Sequence, residues 1–321
     1  MSSCPRPATA SRRIASLALG LLLVGCQAPR PQAQPPPPQV GRPRVLASFT
    51  VLADMAAQVA CGRLQVESVT RPGAEIHGYE VTPADLRRAR GASLLLENGL
   101  GLERWMERFA TSLGPIPRVT VSQGVATIPI AGDPHGAPNP HAWMSPRSAQ
   151  VYVQNIRKAF SRLDPAGAAT YRRCADAYLA QLARLDGDLR QRLDPLPPQR
   201  RLLVTCEGAF SYLARDYGLE EGWLWPVNGE REVTPQRMRR LIATVRQRRV
   251  PAVFCESTVD ARPMQRVAAE SGARLAGVLH VDSLSPPQGP APTYLALLRH
   301  NVDSLRRGLV PDARAAAIRP R

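Results

Sequence analysis

His141 lies in Asn139-Pro-His-Ala-Trp-Met-Ser-Pro146, beside a tryptophan and between two prolines that stiffen the backbone, so its imidazole is poised to ligate. Three other groups of compatible chemistry fall where expected strands run out. They are His77 in Ile76-His-Gly-Tyr-Glu80, Glu207 in Val204-Thr-Cys-Glu-Gly208, and Asp282 in Val281-Asp-Ser-Leu-Ser285. Two imidazoles and two carboxylates make a donor set for a divalent metal ion. Taken one at a time, each has an ordinary reading. His141 could be a hydrogen-bonded loop histidine, and Glu207 an acid facing the N-terminus of the following helix.

The elements that must position these groups follow from periodicity and punctuation. Arg44 to Thr50 reads as a buried strand, Val51 to Cys61 as a helix closed by Gly62, and Leu64 to Val69 as a second strand. Pro72-Gly73 turns into the loop carrying His77, and Thr82-Pro83 caps a helix that ends at Gly91. Ser93 to Glu97 is a short apolar run, Leu102 to Leu113 is helical in pattern, Val119 to Ser122 is a fourth strand, and the loop from Ala131 delivers His141. Alternating strands and helices predict an α/β protein with parallel sheets. From Ala166 to Leu193, Tyr171, Cys174, Ala175, Tyr178, Leu182, Leu185 and Leu189 recur at three and four, the pattern of one long amphipathic helix. The alternation resumes after it. Strands are expected at Arg201–Cys206, Gly222–Trp225, Ala252–Cys255 and Leu275–Val281, and helices at Ala209–Tyr217, Thr234–Arg248, Arg262–Ser271 and Thr293–Gly308. In open α/β sheets ligands bind beyond the carboxyl ends of strands, where Glu207 and Asp282 stand.

The first segment has the form of a targeting signal. Arg12 and Arg13 precede an apolar run from Ile14 to Val24, too short for a permanent span, and it ends Leu23-Val24-Gly25-Cys26, which resembles a bacterial lipobox. The expected organisation is a signal peptide over 1–25, a Pro/Gln-rich tether over 26–43, an N-terminal lobe over 44–165, a linking helix over 166–194, a C-terminal lobe over 195–310 and a tail over 311–321. The formal charge is +16, but Lys158 is the only lysine and the arginines are scattered, without the aromatic-interleaved stripe of a nucleic-acid binder. A metallohydrolase would need an open position for water and a nearby base, against four protein donors and no His-Glu-x-x-His pair. A structural lipoprotein or adhesin would need no metal at all.

Five separated motifs carry a family resemblance. Gly73-Ala-Glu-Ile-His-Gly-Tyr-Glu-Val-Thr-Pro83, Asn139 to Pro146, Cys206-Glu-Gly-Ala-Phe-Ser-Tyr-Leu-Ala-Arg-Asp-Tyr-Gly218, Phe254-Cys-Glu-Ser-Thr-Val259 and Val281 to Ser285 together resemble the metal-binding solute-binding proteins of bacterial ABC transporters. The resemblance spans about 44–309 and is nearest to the manganese-binding lipoproteins of cyanobacteria. It implies two α/β lobes bridged by a single long helix, and metal ligation by His77, His141, Glu207 and Asp282 in the cleft between them. It further implies capture of Mn2+, with Zn2+ or Fe2+ as the alternative cargo, by a non-catalytic, exported monomer. That monomer would be anchored through acylated Cys26 at the periplasmic face of the membrane and would deliver the ion to a permease.

The chain departs from the pattern at Glu75-Ile76, where an acidic residue and proline usually come immediately before the histidine, and at His280, where tyrosine is common. His280 reads as a strand side chain, His135 as a loop histidine, and Glu256 as an acceptor that could orient a ligand imidazole. Tyr79, Glu80, Trp143, Trp223 and Trp225 read as core or lobe-interface residues. Of Cys61, Cys174, Cys206 and Cys255, which allow three pairings, Cys206 and Cys255 end strands expected side by side, and the resembling manganese proteins carry cysteines in both motifs. Their pairing is therefore the one expected, with Cys61 and Cys174 left open.

Overall fold

The computed structural model describes residues 41–227 and 233–310, so the expected leader, Cys26, most of the tether and the tail lie outside it. Four short strands, β1 (Arg44–Ala47), β2 (Gln65–Ser68), β3 (Leu94–Glu97) and β4 (Arg118–Thr120), form a parallel sheet in the order β2-β1-β3-β4. Their side chains alternate between two covered faces, as a parallel sheet requires. Val45, Ala47, Leu94 and Leu96 join the main core beneath helix α1 (Thr50–Ala60). Leu46 and Leu95 meet Trp105, Met106 and Phe109 beneath α2 (Pro83–Ala89) and α3 (Met106–Leu113).

The next helix, α4 (Pro146–Leu163), was not expected from the sequence. Its signals are nonetheless present. Ser145 accepts from the backbone N–H groups of Arg147 and Ser148 at 3.2 Å each, Pro146 opens the first turn, and Ala149, Tyr152, Val153, Ile156 and Phe160 form the buried stripe. A short turn over Pro165–Gly167 leads into α5 (Ala168–Leu193), the 26-residue spine, which buries the apolar set expected of it. Cys61, the left-handed cap of α1, is bonded to Cys174 on the spine, and Asp164 joins Arg63 at 2.8 Å to the Tyr171 hydroxyl at 2.6 Å.

Beyond the spine, β5 (Leu202–Glu207) pairs in parallel with β6 (Glu220–Trp225), and β7 (Ala252–Glu256) with β8 (Arg274–Leu279). The Cys206–Cys255 disulfide joins β5 to β7 with the Cα atoms 5.0 Å apart. The same alternation recurs: Leu203 and Phe254 face the main core, while Leu202, Val204 and Val253 face α7 (Pro235–Gln247) and α8 (Arg262–Ser271). Helix α6 (Ser211–Tyr217) follows β5, and α9 (Tyr294–Leu309) packs on the spine and β8. The main core runs unbroken from β1 through α4 and α5 to β5, β7 and α9. Among the described residues no helix is long and apolar enough to cross a membrane.

One buried acid shapes the loop behind His141. Asn98 to Leu102 leaves β3 through three consecutive residues with positive φ, Gly99, Leu100 and Gly101. The Glu103 carboxylate straps this turn by accepting from Asn98 N at 2.7 Å, Gly99 N at 3.0 Å and Ser48 Oγ at 2.6 Å. Burial pushes its carboxyl up to about 7, and the three donors act against that shift. Asn98 then donates to the Pro140 carbonyl at 3.1 Å and accepts from the Tyr152 hydroxyl at 2.5 Å, so the strap reaches the residue before His141. Glu103→Ala strands three donors and should lower unfolding stability by about 3 kcal/mol. The measurement is a lower urea midpoint at unchanged slope, and a loss below about 1 kcal/mol would mean that water replaces the carboxylate.

Candidate metal centre

His141 is fixed from behind by Asn139, whose Oδ1 faces both its backbone N at 3.0 Å and its ring Nδ1 at 2.9 Å. The other end of that amide donates to the Gly208 carbonyl at 2.7 Å and reaches Ser211 Oγ at 3.3 Å, which leaves only the oxygen to face the imidazole. Nδ1 therefore carries the proton, and the Nε2 lone pair is turned to the centre. The ring is fully buried. Burial, and then the neighbouring His77, hold its pKa well below the ordinary value, so the imidazole is neutral. Trp143 lies with its ring 5.1 Å from that of His141 and donates to the Val281 carbonyl at 3.1 Å, one residue before Asp282.

His77 sits in a loop pinned at Ile76, whose carbonyl accepts from Trp105 Nε1 at 2.8 Å. Glu75 shapes the turn that carries His77. One carboxylate oxygen accepts from His77 N at 2.6 Å and the other from Gly78 N at 2.8 Å. Glu207 ends β5, and Gly208 follows it because a Cβ there would lie 3.2 Å from the Trp223 ring. Asp282 follows β8. Its loop is tied to the first half where Ser283 Oγ accepts from Gly73 N at 2.6 Å and Leu284 N donates to Thr50 Oγ1 at 2.9 Å.

These four loops bring the predicted groups to one point. Nε2 of His77 lies 3.2 Å from Nε2 of His141, 3.7 Å from a Glu207 oxygen and 3.8 Å from an Asp282 oxygen, and His141 Nε2 lies 3.7 Å from the other Asp282 oxygen. His77, His141 and Glu207 offer ligand atoms that all lie within 4.8 Å of one another, and Asp282 reaches the two imidazoles from the side, spacings compatible with bonds of about 2.0–2.3 Å to a first-row divalent ion after small side-chain adjustments. His141, Glu207 and Asp282 are at most 3 % exposed, and the buried Oδ1 of Asp282 makes no hydrogen bond. Desolvation raises the Asp282 carboxyl to about 6, with Glu75 adding to the shift and His77 and Thr258 opposing it. Neighbouring Glu256 is pushed to about 8 by burial, so at neutral pH it adds no full charge.

Other expectations fare differently. Glu256 does not orient an imidazole; its Oε1 accepts from Glu207 N at 3.3 Å, and Asn139 performs the orienting role for His141. His280 turns toward α9, with its ring 5.3 Å from that of His300, and His135 is exposed outside the cluster. Trp143 and Trp225 are buried core residues, as read from the sequence. Two participants escaped sequence reasoning, Asn139 and Glu75. Each stands two residues before a candidate histidine with a side chain able to accept that histidine's N–H, which is the signal that could have found them.

Residues 45–308 match the family described as the periplasmic component A of the zinc-uptake complex, ZnuA. The chain is 47 % identical over 266 residues to the iron-binding protein YfeA of Yersinia pestis, covering 83 % of this chain and 86 % of that one. It is 32 % identical over 266 residues to the manganese-binding lipoprotein MntA of Halalkalibacterium halodurans, covering 83 % and 88 %. Among solved structures, the Mn-bound periplasmic metal-binding protein of Candidatus Liberibacter asiaticus superposes with a TM-score of 0.78 at 38 % identity, over 84 % of this chain and 100 % of that one. These matches do not show the expected nearness to cyanobacterial proteins.

Acid should loosen any divalent ion held here. A raised carboxyl pKa means that Asp282 takes up its proton as pH falls through about 6, and a protonated carboxyl no longer competes for the cation. His141, held neutral, delays its own competition to lower pH. Affinity measured by titration calorimetry at pH 5 should be at least about tenfold weaker than at pH 7. A flat profile across that interval would remove Asp282 from the ligand set.

Proposed function

The chain belongs to the ZnuA family of periplasmic metal-binding proteins, and from that premise we propose that it captures Mn2+ through His77, His141, Glu207 and Asp282. Members of this family are solute-binding components of ABC transporters rather than enzymes, and a divalent metal ion is what they bind. The observation that carries the choice of ion is the donor set, two imidazole nitrogens and two carboxylates with edges of 3.2 to 3.8 Å. Zinc favours four-coordinate sites rich in nitrogen and sulfur, whereas carboxylates can turn bidentate and raise the coordination number to suit manganese. Fe2+ is the second reading, favoured by the name of the 47 % identical relative. The rest of the proposal concerns placement: a monomer, acylated at Cys26 and held at the periplasmic face of the membrane, with lobes over 44–165 and 195–310 that close on the ion and pass it to a permease.

Elemental analysis of protein purified from its native compartment decides the cargo. Manganese at about one ion per chain supports the reading, and iron or zinc in its place overturns the choice of ion. Glu207→His replaces a carboxylate with a third imidazole and should shift the Zn2+ to Mn2+ affinity ratio at least about tenfold toward zinc. No shift would mean that Glu207 does not ligate. Anchoring is tested separately. Cys26→Ser should move the mature protein from the membrane to the soluble fraction, whereas unchanged retention would refute acylation there.

A further inference from the structure

We propose that Glu75 is the first ligand the cation meets, binding it together with His77 and Asp282 before His141 and Glu207 complete the shell. This rests on the metal-capture reading and adds a route to it. Two trios of ligand atoms each lie within 4.8 Å of one another, Glu75–His77–Asp282 and His77–His141–Glu207, and they share His77. Asp282 belongs to the first trio and reaches toward the second, with one oxygen 3.8 Å from His77 Nε2 and the other, which makes no hydrogen bond, 3.7 Å from His141 Nε2.

Burial sets the order of the two trios. Glu75 is half-buried, while the side chains of His77, Asp282, His141 and Glu207 are 8 %, 2 %, 0 % and 4 % exposed, so Glu75 is the outermost of the five groups and its trio the outer one. An arriving divalent ion must exchange its waters stepwise, and carboxylate oxygen is the donor that replaces water at least cost for a hard cation. The Glu75 carboxylate is already ordered by the N–H groups of His77 and Gly78, and each oxygen keeps a further lone pair. From there the ion need only trade one carboxylate and its remaining waters for His141 and Glu207, without leaving His77 or Asp282.

Glu75→Asp keeps the charge and can still accept from the N–H two residues on, but it withdraws the carboxylate by one methylene from the outer trio. The readout is stopped-flow tryptophan fluorescence, with Trp143 beside His141 as the reporter, for Mn2+ association and for release into excess chelator, alongside equilibrium titration. A group that touches the ion only in passage lowers the barrier in both directions. Association should therefore slow by about tenfold and release with it, with any change in Kd smaller than the change in the rates. Unchanged rates, or faster release at unchanged association, would assign Glu75 to holding the loop and overturn the proposal. Glu75→Gln keeps the length and one acceptor without the charge; it should slow association at least as much, and wild-type association in this variant overturns the proposal too. Wild-type protein that takes up neither Mn2+, Fe2+ nor Zn2+ would refute the capture reading itself, and the role of Glu75 with it.

Discussion

Carboxylates gathered out of water at one point repel one another, and the architecture of this protein is arranged around that cost. Two like charges about 4 Å apart at a partly screened site oppose each other by about 4 kcal/mol. Burial first, and neighbouring carboxylates after it, push Glu256 to about 8 and Asp282 to about 6, so at neutral pH Glu256 is largely protonated while Asp282 keeps most of its charge. His141, buried and kept neutral, presents a lone pair rather than a proton. A divalent cation at this point would add an attraction to each carboxylate that outweighs their mutual repulsion.

Groups under such repulsion stay together only if each is held from behind, and the holding bonds cross the molecule. Trp143 links the His141 turn to the carbonyl before Asp282, and the Tyr294 hydroxyl donates to the Trp143 carbonyl. Asn139 reaches Gly208 beside Glu207, while the Tyr212 hydroxyl donates to the Asn139 carbonyl at 2.7 Å. Gly73 and Thr50 of the first half bind the loop that carries Asp282. Behind these bonds the spine α5 shares a single apolar core with the four-stranded sheet and with β5 and β7 of the two strand pairs, which gives the four loops a common frame.

Much of that frame was legible because it rests on local rules. Thr82, Thr234 and Thr293 accept from backbone N–H groups three residues on, in the positions that their sequences suggest, and α8 begins and ends where Arg262 and Gly272 place it. The buried runs of β1, β5 and β7 announced strands covered on both faces. Helix α4 was lost because Ser145-Pro146 read as a fence beside His141 rather than as a cap, although the stripe from Ala149 to Phe160 was in plain view. Of the candidate site, the four donors stood at strand ends and in loops that the resemblance singled out, but their supports did not. Glu103 and Glu256 act on backbone N–H groups that only the folded loop presents, and Cys61 meets Cys174 across 113 residues.

The same supports bear on which ion the centre favours. Glu207 is the stiffer carboxylate, because the Cys206–Cys255 bond secures its strand and Glu256 accepts from its N–H. Asp282 is the adaptable one. Its Oδ2 lies 3.5 Å from Thr258 Oγ1 and 3.8 Å from His77 Nε2, and its Oδ1 has no hydrogen bond, so both oxygens can turn to one cation without breaking a short hydrogen bond. An ion content with four ligands gains little from that second oxygen, whereas an ion that prefers five or six donors gains a bond. The discrimination is modest, because raw affinity across the first row runs against manganese whatever the donors. On the proposed ligation, tight zinc binding would not by itself name the cargo, because release and metal supply as well as equilibrium grip decide what is carried.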